Sequence, residues 1–303
     1  MVVLRTPDAA FRALADFPFA PHYVDVTAGD APSLRVHYID EGPRDAPAVL
    51  MLHGEPTWSY LYRHVIAACS AAGVRAIAPD LVGFGRSDKP ADRNDYTYQR
   101  HVDWISDAMQ RLDLTRPILL CHDWGGLIGL RLVAEHPERF SGVLAMNTSL
   151  PTGDRPAPPA LLEWQRFAEY GAEFAPGRLI ERTCVRPLRV GALAAYDAPF
   201  PDDTYKAGAR RFPRLVPTTP DDPASAANRR AWTSLATFTK PFLTVFGEQD
   251  PYTTGVQRVF QRKIAGAAGQ PHVTLPHAGH FVCEDAADEV ARLVTAFVRS
   301  TCG

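Results

Sequence analysis

One short stretch of the sequence holds a carboxylate at a position where a sharp turn would expose it. Residues 121–126 read Cys-His-Asp-Trp-Gly-Gly, with an apolar run typical of a buried strand before them and a helix-like stretch after them. Small residues around Asp123 allow the strand-to-helix turn known as the nucleophile elbow, which lifts the central side chain out at the strand end. The alternative interpretation is an ordinary connection in which Asp123 caps the helix N-terminus.

Two further residues with the chemistry of a catalytic triad follow predicted strands later in the chain. Asp250 follows the apolar run 242–247, and His280 follows the run 272–275. The chain order of nucleophile, acid and histidine, each after a strand, is the α/β-hydrolase order and predicts a triad. The alternatives are a turn-capping role for Asp250 and His277 as the working histidine. We favour His280 because its Gly-His-Phe setting matches the pattern of that fold.

The backbone can supply the hydrogen-bond donors that such a triad needs. Residues 53–56 (His-Gly-Glu-Pro) follow another strand-like run, in the position of a loop that contributes to the oxyanion hole of this fold. The N–H groups of Glu55 and Trp124 are therefore candidates for an oxyanion hole. We expect His53 to be structural.

An aspartate in place of the usual serine decides which reaction the triad supports. A serine that attacked a saturated carbon would form an ether, whereas a carboxylate forms an ester that a histidine-activated water can hydrolyse. The sequence therefore predicts displacement at an sp3 carbon followed by ester hydrolysis, with a carbon–halogen bond or an epoxide as the target. Esterase and peptidase activities are disfavoured.

The elements that must position these residues alternate along the chain. Apolar runs that read as strands are followed by helix-like stretches, which predicts an α/β fold with a mostly parallel sheet and helices on both faces. This pattern stops at Pro151 and resumes at residue 242, after a proline-rich segment with helix-like pieces. We therefore expect a core domain at residues 1–150 and 232–303. Residues 151–231 are expected to form an inserted helical cap over the carboxyl ends of the strands.

Composition excludes several classes of partner. The 303 residues carry a net charge of −2, and 46% are hydrophobic and 22% charged, which is typical of a globular protein with no basic excess for nucleic acid. The apolar runs are too short to span a bilayer, and we see no secretory signal. Five scattered cysteines without a CxxC motif predict reduced thiols and a cytoplasmic location, and exclude a disulfide framework and a zinc site.

The chain resembles the haloalkane dehalogenases of the α/β-hydrolase superfamily, in the subfamily with an Asp–His–Asp triad and two halide-binding tryptophans. Besides the elbow, the resemblance rests on residues 4–8 (LRTPD), 53–63 (HGEPTWSYLYR), 79–90 (PDLVGFGRSDKP), 198–202 (APFPD) and 207–213 (AGARRFP). It implies hydrolysis of haloalkanes to a primary alcohol and halide through a covalent alkyl ester on Asp123. It also implies that no metal or cofactor is needed and that the partners are a small apolar halogenated substrate, water and halide. We expect a monomer.

The resemblance assigns the triad roles by position. Asp123 corresponds to the nucleophile, His280 to the general base and Asp250 to the acid that orients the histidine. Other dehalogenases place a glutamate acid after the preceding strand. This chain has Asn147 there, which supports Asp250 as the acid.

The resemblance also implies that two tryptophans bind the departing halide. Trp124 and Trp164 would donate their indole N–H groups to the anion, and indole suits this role because it is a donor only. A packing role is the alternative for Trp164. Packing in the core or on the surface is expected for the remaining tryptophans, Trp58, Trp104 and Trp232.

The chain departs from the family pattern at two places. His122 stands where these dehalogenases usually have glutamine, and His-Asp-Trp-Gly is common in epoxide hydrolases. We expect His122 to point away from the nucleophile, as the residue before it does in an elbow. The proline-rich stretch 151–159 matches the family poorly, so the sequence does not predict the shape of the pocket.

An epoxide hydrolase with the same triad is the alternative function. It would use cap tyrosines to protonate the opening ring, and the predicted cap contains Tyr170, Tyr196 and Tyr205. Glu55 disfavours this alternative because epoxide hydrolases usually have an aromatic residue there. Trp124 disfavours a fluoroacetate-type dehalogenase, which usually has arginine after the nucleophile. A non-enzymatic binding module is a third interpretation, against which the complete triad argues.

Overall fold

Strands and helices alternate along the part of the chain that the computed structural model describes, residues 1–12 and 14–303. Within it the strands are β1 (Val3–Leu4), β2 (His22–Val26), β3 (Leu34–Glu41), β4 (Ala48–Leu52), β5 (Arg75–Pro79), β6 (Lys89–Pro90), β7 (Ile118–His122), β8 (Gly142–Met146), β9 (Phe242–Gly247) and β10 (Val273–Leu275). The α-helices are α1 (Arg63–Ala71), α2 (Tyr98–Arg111), α3 (Trp124–Glu135), α4 (Pro159–Tyr170), α5 (Pro176–Arg182), α6 (Ala192–Asp197), α7 (Ala207–Leu215), α8 (Ser225–Ala236), α9 (Val256–Lys263), α10 (Val282–Asp285) and α11 (Ala287–Cys302). Short 3₁₀ helices cover Asp8–Phe11, Ser59–Tyr62, Arg93–Asp95, Pro137–Arg139, Asp203–Lys206 and Ala265–Ala267.

A large mixed sheet forms the centre of the molecule. Its strand order is β10–β9–β8–β7–β4–β5–β3–β2. The strands from β10 to β5 are parallel, whereas β3 runs antiparallel to β5 and to β2. Every residue of β7, β8 and β9 is buried, as expected for central parallel strands whose sequences are unbroken apolar runs. The predicted, mostly parallel sheet is therefore confirmed.

The strand order brings the ends of several strands to one place. The strands β4, β7, β8, β9 and β10 are consecutive neighbours and parallel, so their carboxyl ends share one edge of the sheet. In open parallel sheets, ligands bind beyond this edge. The residues that follow these strands are therefore the ones to inspect for chemistry.

Helices pack against one another in distinct groups. Helix α1 packs on α11, and α3 packs on α2 and α8. Between β8 and β9, α4 packs on α7 and α5 packs on α6; we call α4 to α7 the cap helices. Helix α8 crosses the expected boundary at residue 231 and packs on α3, and the division into core and cap stays a prediction. Among the described residues, no helix combines the length and apolar character of a membrane span.

Some elements differ from what the sequence pattern suggests, for local reasons. The helix-like sequence of residues 189–196 predicts a helix from Arg189. Helix α6 begins only at Ala192, because Gly191 adopts a left-handed conformation with φ of 85°. The strand β2 and the helices α5, α7 and α9 were not expected. Helix α7 contains Pro213 in its last turn, and proline inside a helical pattern usually signals that no helix continues.

A buried ionic cluster fixes the cap helices to the core next to the β10 edge. The guanidinium of Arg63 on α1 forms a two-point contact with the Glu284 carboxylate on α10, at 2.5 and 2.9 Å. The hydroxyl of Tyr196 on α6 donates to the same carboxylate at 2.5 Å. The Arg63 side chain is fully buried and the Glu284 side chain is only 3% exposed. One carboxylate thus connects α1, α6 and α10.

A second carboxylate joins the cap helices to the loop after β10. Asp285 accepts hydrogen bonds from the backbone N–H of Gly279 at 2.8 Å and of Val185 at 2.9 Å. The backbone N–H of His280 in turn donates to the carbonyl of Thr183, at 3.1 Å. The segment after α5 is therefore bound directly to the loop that carries His280.

We expect Arg63→Met to lower the free energy of unfolding by about 3–5 kcal/mol, because it leaves the Glu284 carboxylate buried without its cation. The matched control is Arg292→Met, which removes a 68% exposed partner of Glu289 and should change the free energy of unfolding by at most about 0.5 kcal/mol. Urea denaturation of both variants measures the difference. Equal losses would contradict a structural role of the buried cluster.

Candidate active site

The predicted triad residues meet at the carboxyl edge of the sheet. Asp123 follows β7, Asp250 follows β9 and His280 follows β10. The His280 Nε2 atom lies 3.6 Å from Asp123 Oδ2, and Nδ1 lies 3.1 Å from Asp250 Oδ1. His280 is buried, whereas the alternative, His277, is exposed. The imidazole of His280 therefore sits between two carboxylates, one on each ring nitrogen.

Asp123 has the strained backbone of a nucleophile elbow. Its φ is 50° and its ψ is −121°, a region that side chains rarely adopt. The turn is tight because the loop after β4 crosses close to it. A Cβ atom on Gly54 would collide with the Asp123 carboxylate, and one on Gly125 would collide with the carbonyl of Leu52. Glycine at these two positions allows the Asp123 side chain to stand free at the start of α3.

One backbone N–H contacts the Asp123 carboxylate, and a helix N-terminus lies next to it. The N–H of Glu55 donates to Asp123 Oδ1 at 2.8 Å. Trp124 is the first residue of α3, where backbone N–H groups have no helical acceptor and the helix dipole favours negative charge. Nδ1 of His53 donates to the carbonyl of Gly54, and Nε2 accepts from the N–H of Leu81, so this histidine holds the loop in place.

The charges of the triad shift the pKa values of His280 and Asp250. Burial alone would lower the pKa of His280, but the carboxylates of Asp250 and Asp123 outweigh it and raise that pKa to about 10. Burial would raise the pKa of Asp250, yet this pKa lies below its usual range because His280 and the Thr253 hydroxyl stabilise the ionised form. In this state His280 is therefore positively charged at neutral pH.

Two side chains whose contacts the sequence did not predict hold the acid and the histidine. Asn147 after β8 donates from Nδ2 to Asp250 Oδ2 at 2.8 Å, and its Oδ1 accepts from the N–H of Gly247 at 2.9 Å. His122 donates from Nε2 to the backbone carbonyl of His280 at 2.8 Å. Burial lowers the pKa of His122 to about 4, so it is neutral at neutral pH. For His122, the position directly before the nucleophile was the one signal of this contact in the sequence, since residues beside an elbow contact the adjoining loops.

A cavity of about 90 Å³ lies between the carboxyl edge and the cap helices. Asp123 and His280 form part of its floor, and apolar side chains such as Leu161, Leu179 and Val216 form much of its wall. It has room for several waters or one small ligand. The cavity therefore presents the Asp123 carboxylate and the His280 imidazole to a small ligand between apolar walls.

Two indoles line this cavity. Trp124 packs edge-on against Tyr98 and Phe212, with ring centroids 5.2 and 4.7 Å away. Trp164 reaches the cavity from α4, and its Nε1 donates to Glu55 Oε2 at 3.2 Å. The sequence analysis used the main chain of Glu55 as an oxyanion donor and its residue type as a family marker, but it predicted no contact of the carboxyl group.

The other aromatic candidates lie outside the cavity. Trp58 donates to the carbonyl of Ala195 and Trp232 to that of Leu150, while Trp104 is buried among aromatic rings. Of the tyrosines considered for ring protonation, Tyr196 is bound to Glu284, and neither Tyr170, at 80% exposure, nor the partly buried Tyr205 is part of the cavity lining.

The arrangement suits a two-step displacement. The carboxylate of Asp123 can attack an electrophilic carbon, because its Oδ2 is free of the backbone contact that holds Oδ1. The N–H of Glu55 already lies where negative charge on Oδ1 would develop in an ester hydrolysis. The imidazole of His280 is within reach of a water that approaches such an ester.

Comparison with known proteins gives consistent likenesses over the whole chain. A family model described as the alpha/beta hydrolase fold matches residues 47–287. The haloalkane dehalogenase of Psychrobacter cryohalolentis is 54% identical over 298 residues, which are 98% of each chain. Haloalkane dehalogenase 1 of Mycobacterium tuberculosis is 52% identical over 301 residues, 99% of this chain and 100% of the relative. Haloalkane dehalogenase DpaA of Paraglaciecola agarilytica NO2, described as tetrameric, superimposes with a TM-score of 0.89 at 36% identity and covers 97% of both chains.

We expect Asp123→Asn to lower the pKa of His280, since it removes one of the two carboxylates that favour the protonated imidazole. An NMR titration of the His280 ring measures this pKa. Asp154→Asn is the matched control: Asp154 pairs with Arg229 at the surface, so its replacement should leave the His280 titration unchanged. An unchanged pKa in Asp123→Asn would contradict the coupling.

Proposed function

Because the chain belongs to the haloalkane dehalogenases of the α/β hydrolase fold, we propose that it hydrolyses haloalkanes through a covalent ester on Asp123. The family resemblance and the fold class predicted from the sequence are thereby confirmed, and the protein is a hydrolase of carbon–halogen bonds. The observation that carries the mechanism is that Asp123, His280 and the indoles of Trp124 and Trp164 border the same cavity.

In the first step, Oδ2 of Asp123 attacks the carbon that bears the halogen. A carbon–oxygen bond forms, the carbon–halogen bond breaks, and the halide leaves with the bonding electrons. The indole N–H groups of Trp124 and Trp164 bind the departing anion in the apolar cavity, where a hydrogen bond to a charged group is stronger than in water.

In the second step, water hydrolyses the ester. His280 Nε2 takes a proton from water while the oxygen attacks Cγ of Asp123, and the charge that develops on Oδ1 is stabilised by the N–H groups of Glu55 and Trp124. The bond between Oδ2 and the alkyl group then breaks. The alcohol leaves with the proton that His280 took, and the carboxylic acid left on Asp123 passes its remaining proton to His280. This restores the Asp123 carboxylate and the protonated imidazole.

The first step prepares His280 for the second. In the free protein, the charge of Asp123 helps to hold a proton on the imidazole. Ester formation removes that charge, so the pKa of His280 falls and the imidazole releases its proton to solvent, which gives the neutral base. Asp250 keeps its charge and continues to orient the ring.

The alternative of an epoxide hydrolase gains no support. The relatives described above are haloalkane dehalogenases. The cap tyrosines predicted to protonate an epoxide oxygen do not line the cavity. The haloalkane therefore remains the substrate class that we propose.

We also propose that the chain acts as a monomer in the cytoplasm. The triad, the oxyanion N–H groups and both indoles come from one chain, which supports a complete site without a second subunit, although DpaA is described as tetrameric. Free thiols suit a reducing compartment. These thiols are Cys69, Cys121, Cys184, Cys283 and Cys302.

We expect His280→Gln to stop after the first step, because glutamine cannot take the proton from water while Asp123 can still displace halide. With 1-bromobutane, the variant should release about one equivalent of bromide per chain and gain the mass of a butyl group. A bromide assay and intact-protein mass spectrometry measure both. His277→Gln is the matched control and should turn over like the wild type; sustained turnover by His280→Gln would overturn the assignment of the base.

We expect Trp164→Leu to slow bromide release from 1-bromobutane by about tenfold or more, the effect of losing a hydrogen bond to a charged leaving group. Trp232→Leu removes an indole bound outside the cavity and should leave the rate nearly unchanged. Initial rates of bromide release by the two variants make the comparison. Equal rates, or diol formed from styrene oxide without bromide from 1-bromobutane, would argue against the proposed halide site.

A further inference from the structure

The side chain of Glu55 is an acid that the proposed mechanism does not use. Only its backbone N–H has a role in the oxyanion hole. Glu55 lines the catalytic cavity, and the residue is only 5% exposed. Oε2 accepts the indole N–H of Trp164 at 3.2 Å, whereas Oε1 is buried and has no hydrogen-bond partner among the described residues.

The surroundings of this carboxyl group disfavour a negative charge. The titratable groups that face it are the Asp123 carboxylate from the elbow, the His280 ring from the loop after β10 and the Tyr252 hydroxyl from the segment after β9. Burial, and then the charge of Asp123, raise the pKa of Glu55 well above its usual range, against a smaller opposite effect of the Trp164 N–H. A proton on this acid would be on Oε1, because Oε2 already accepts the Trp164 N–H.

A negative charge here would also conflict with the proposed halide site. Oε2 is in contact with the same N–H that would bind the departing anion. Two negative charges about 4 Å apart, at an effective dielectric constant of about 20, would weaken anion binding by about a thousandfold. A halide site that includes Trp164 therefore requires that Glu55 carry no charge.

We propose that Glu55 is a positioning residue of the halide site and works as an un-ionised carboxylic acid, with its proton on Oε1 and its Oε2 orienting the Trp164 indole. This inference rests on the proposed function, because the halide is its premise. Glu55 stands on the loop after β4 and Trp164 on α4, so the contact also sets the distance between the core and the cap helices at the point where the anion binds.

Glu55→Gln tests this role, because an amide keeps a neutral donor and an acceptor in the same place. Bromide affinity, measured by quenching of intrinsic tryptophan fluorescence, should stay within about threefold of the wild type in Glu55→Gln. It should weaken by about tenfold in Glu55→Ala, which removes the acceptor of the Trp164 N–H. Glu163→Gln is the matched control: Glu163 is an exposed neighbour of Trp164 on α4 and its replacement should have no effect.

The protonation state is measured directly by infrared spectroscopy at pH 7. The difference between wild type and Glu55→Gln should contain the carbonyl band of a protonated acid and no loss of carboxylate bands. Loss of carboxylate bands would overturn the proposal. So would a Glu55→Gln variant that binds bromide as weakly as Glu55→Ala, and a wild-type protein that binds no bromide. A wild type that binds bromide but releases none from haloalkanes would instead contradict the proposed function and leave the role of Glu55 intact.

Discussion

The site depends on the backbone conformation of Asp123, which few side chains adopt and which the surrounding structure must enforce. A residue in such a region carries strain of about 1–3 kcal/mol. Here the parallel pairing of β4 with β7 fixes the turn, and Gly54 and Gly125 let the two loops approach. The result is a carboxylate that stands clear of the main chain, with a helix N-terminus on one side and the Glu55 N–H on the other. In a relaxed turn the Asp123 side chain would point elsewhere and would not lie next to His280.

Around this carboxylate, burial and charge act in opposite directions, and the balance changes during the reaction. In the row Asp250, His280 and Asp123, the first two groups are buried and each would be disfavoured there as a lone charge. Together they stabilise one another, with the imidazole between the two acids. Alkylation of Asp123 takes one charge out of the row. In the proposed chemistry the charge of Asp123 first helps to hold a proton on His280, and its loss on alkylation then frees the base.

Much of this could be predicted from the sequence, since the relevant features are local. The elbow, the loop 53–56 and the residues after β9 and β10 all follow short apolar runs, and a parallel sheet brings such residues together whatever lies between them. The contacts that escaped prediction are made by side chains from distant segments. Glu55 meets Trp164 across 109 positions and His122 meets the carbonyl of His280 across 158. Neither has a periodicity or a spacing that a single sequence could reveal. The same holds for α7, where Pro213 masks a helix that is stabilised by packing.

The two carboxylates on α10 affect which of the cap helices can open locally. Glu284 and Asp285 fix α6 and the segment after α5 to the catalytic loop through buried contacts. Helix α4 is joined to the core by the Trp164–Glu55 contact and by an ion pair of Glu169 with Arg93. The Arg93 side chain is 36% exposed, so this ion pair contributes little to stability. Any local opening that separates α4 from the core therefore has to break the Trp164–Glu55 contact. Such an opening would move Trp164 away from Glu55. Ligand entry and loss of the anion site would then be the same motion. The anion site would re-form only when α4 closes again, with the ligand already inside.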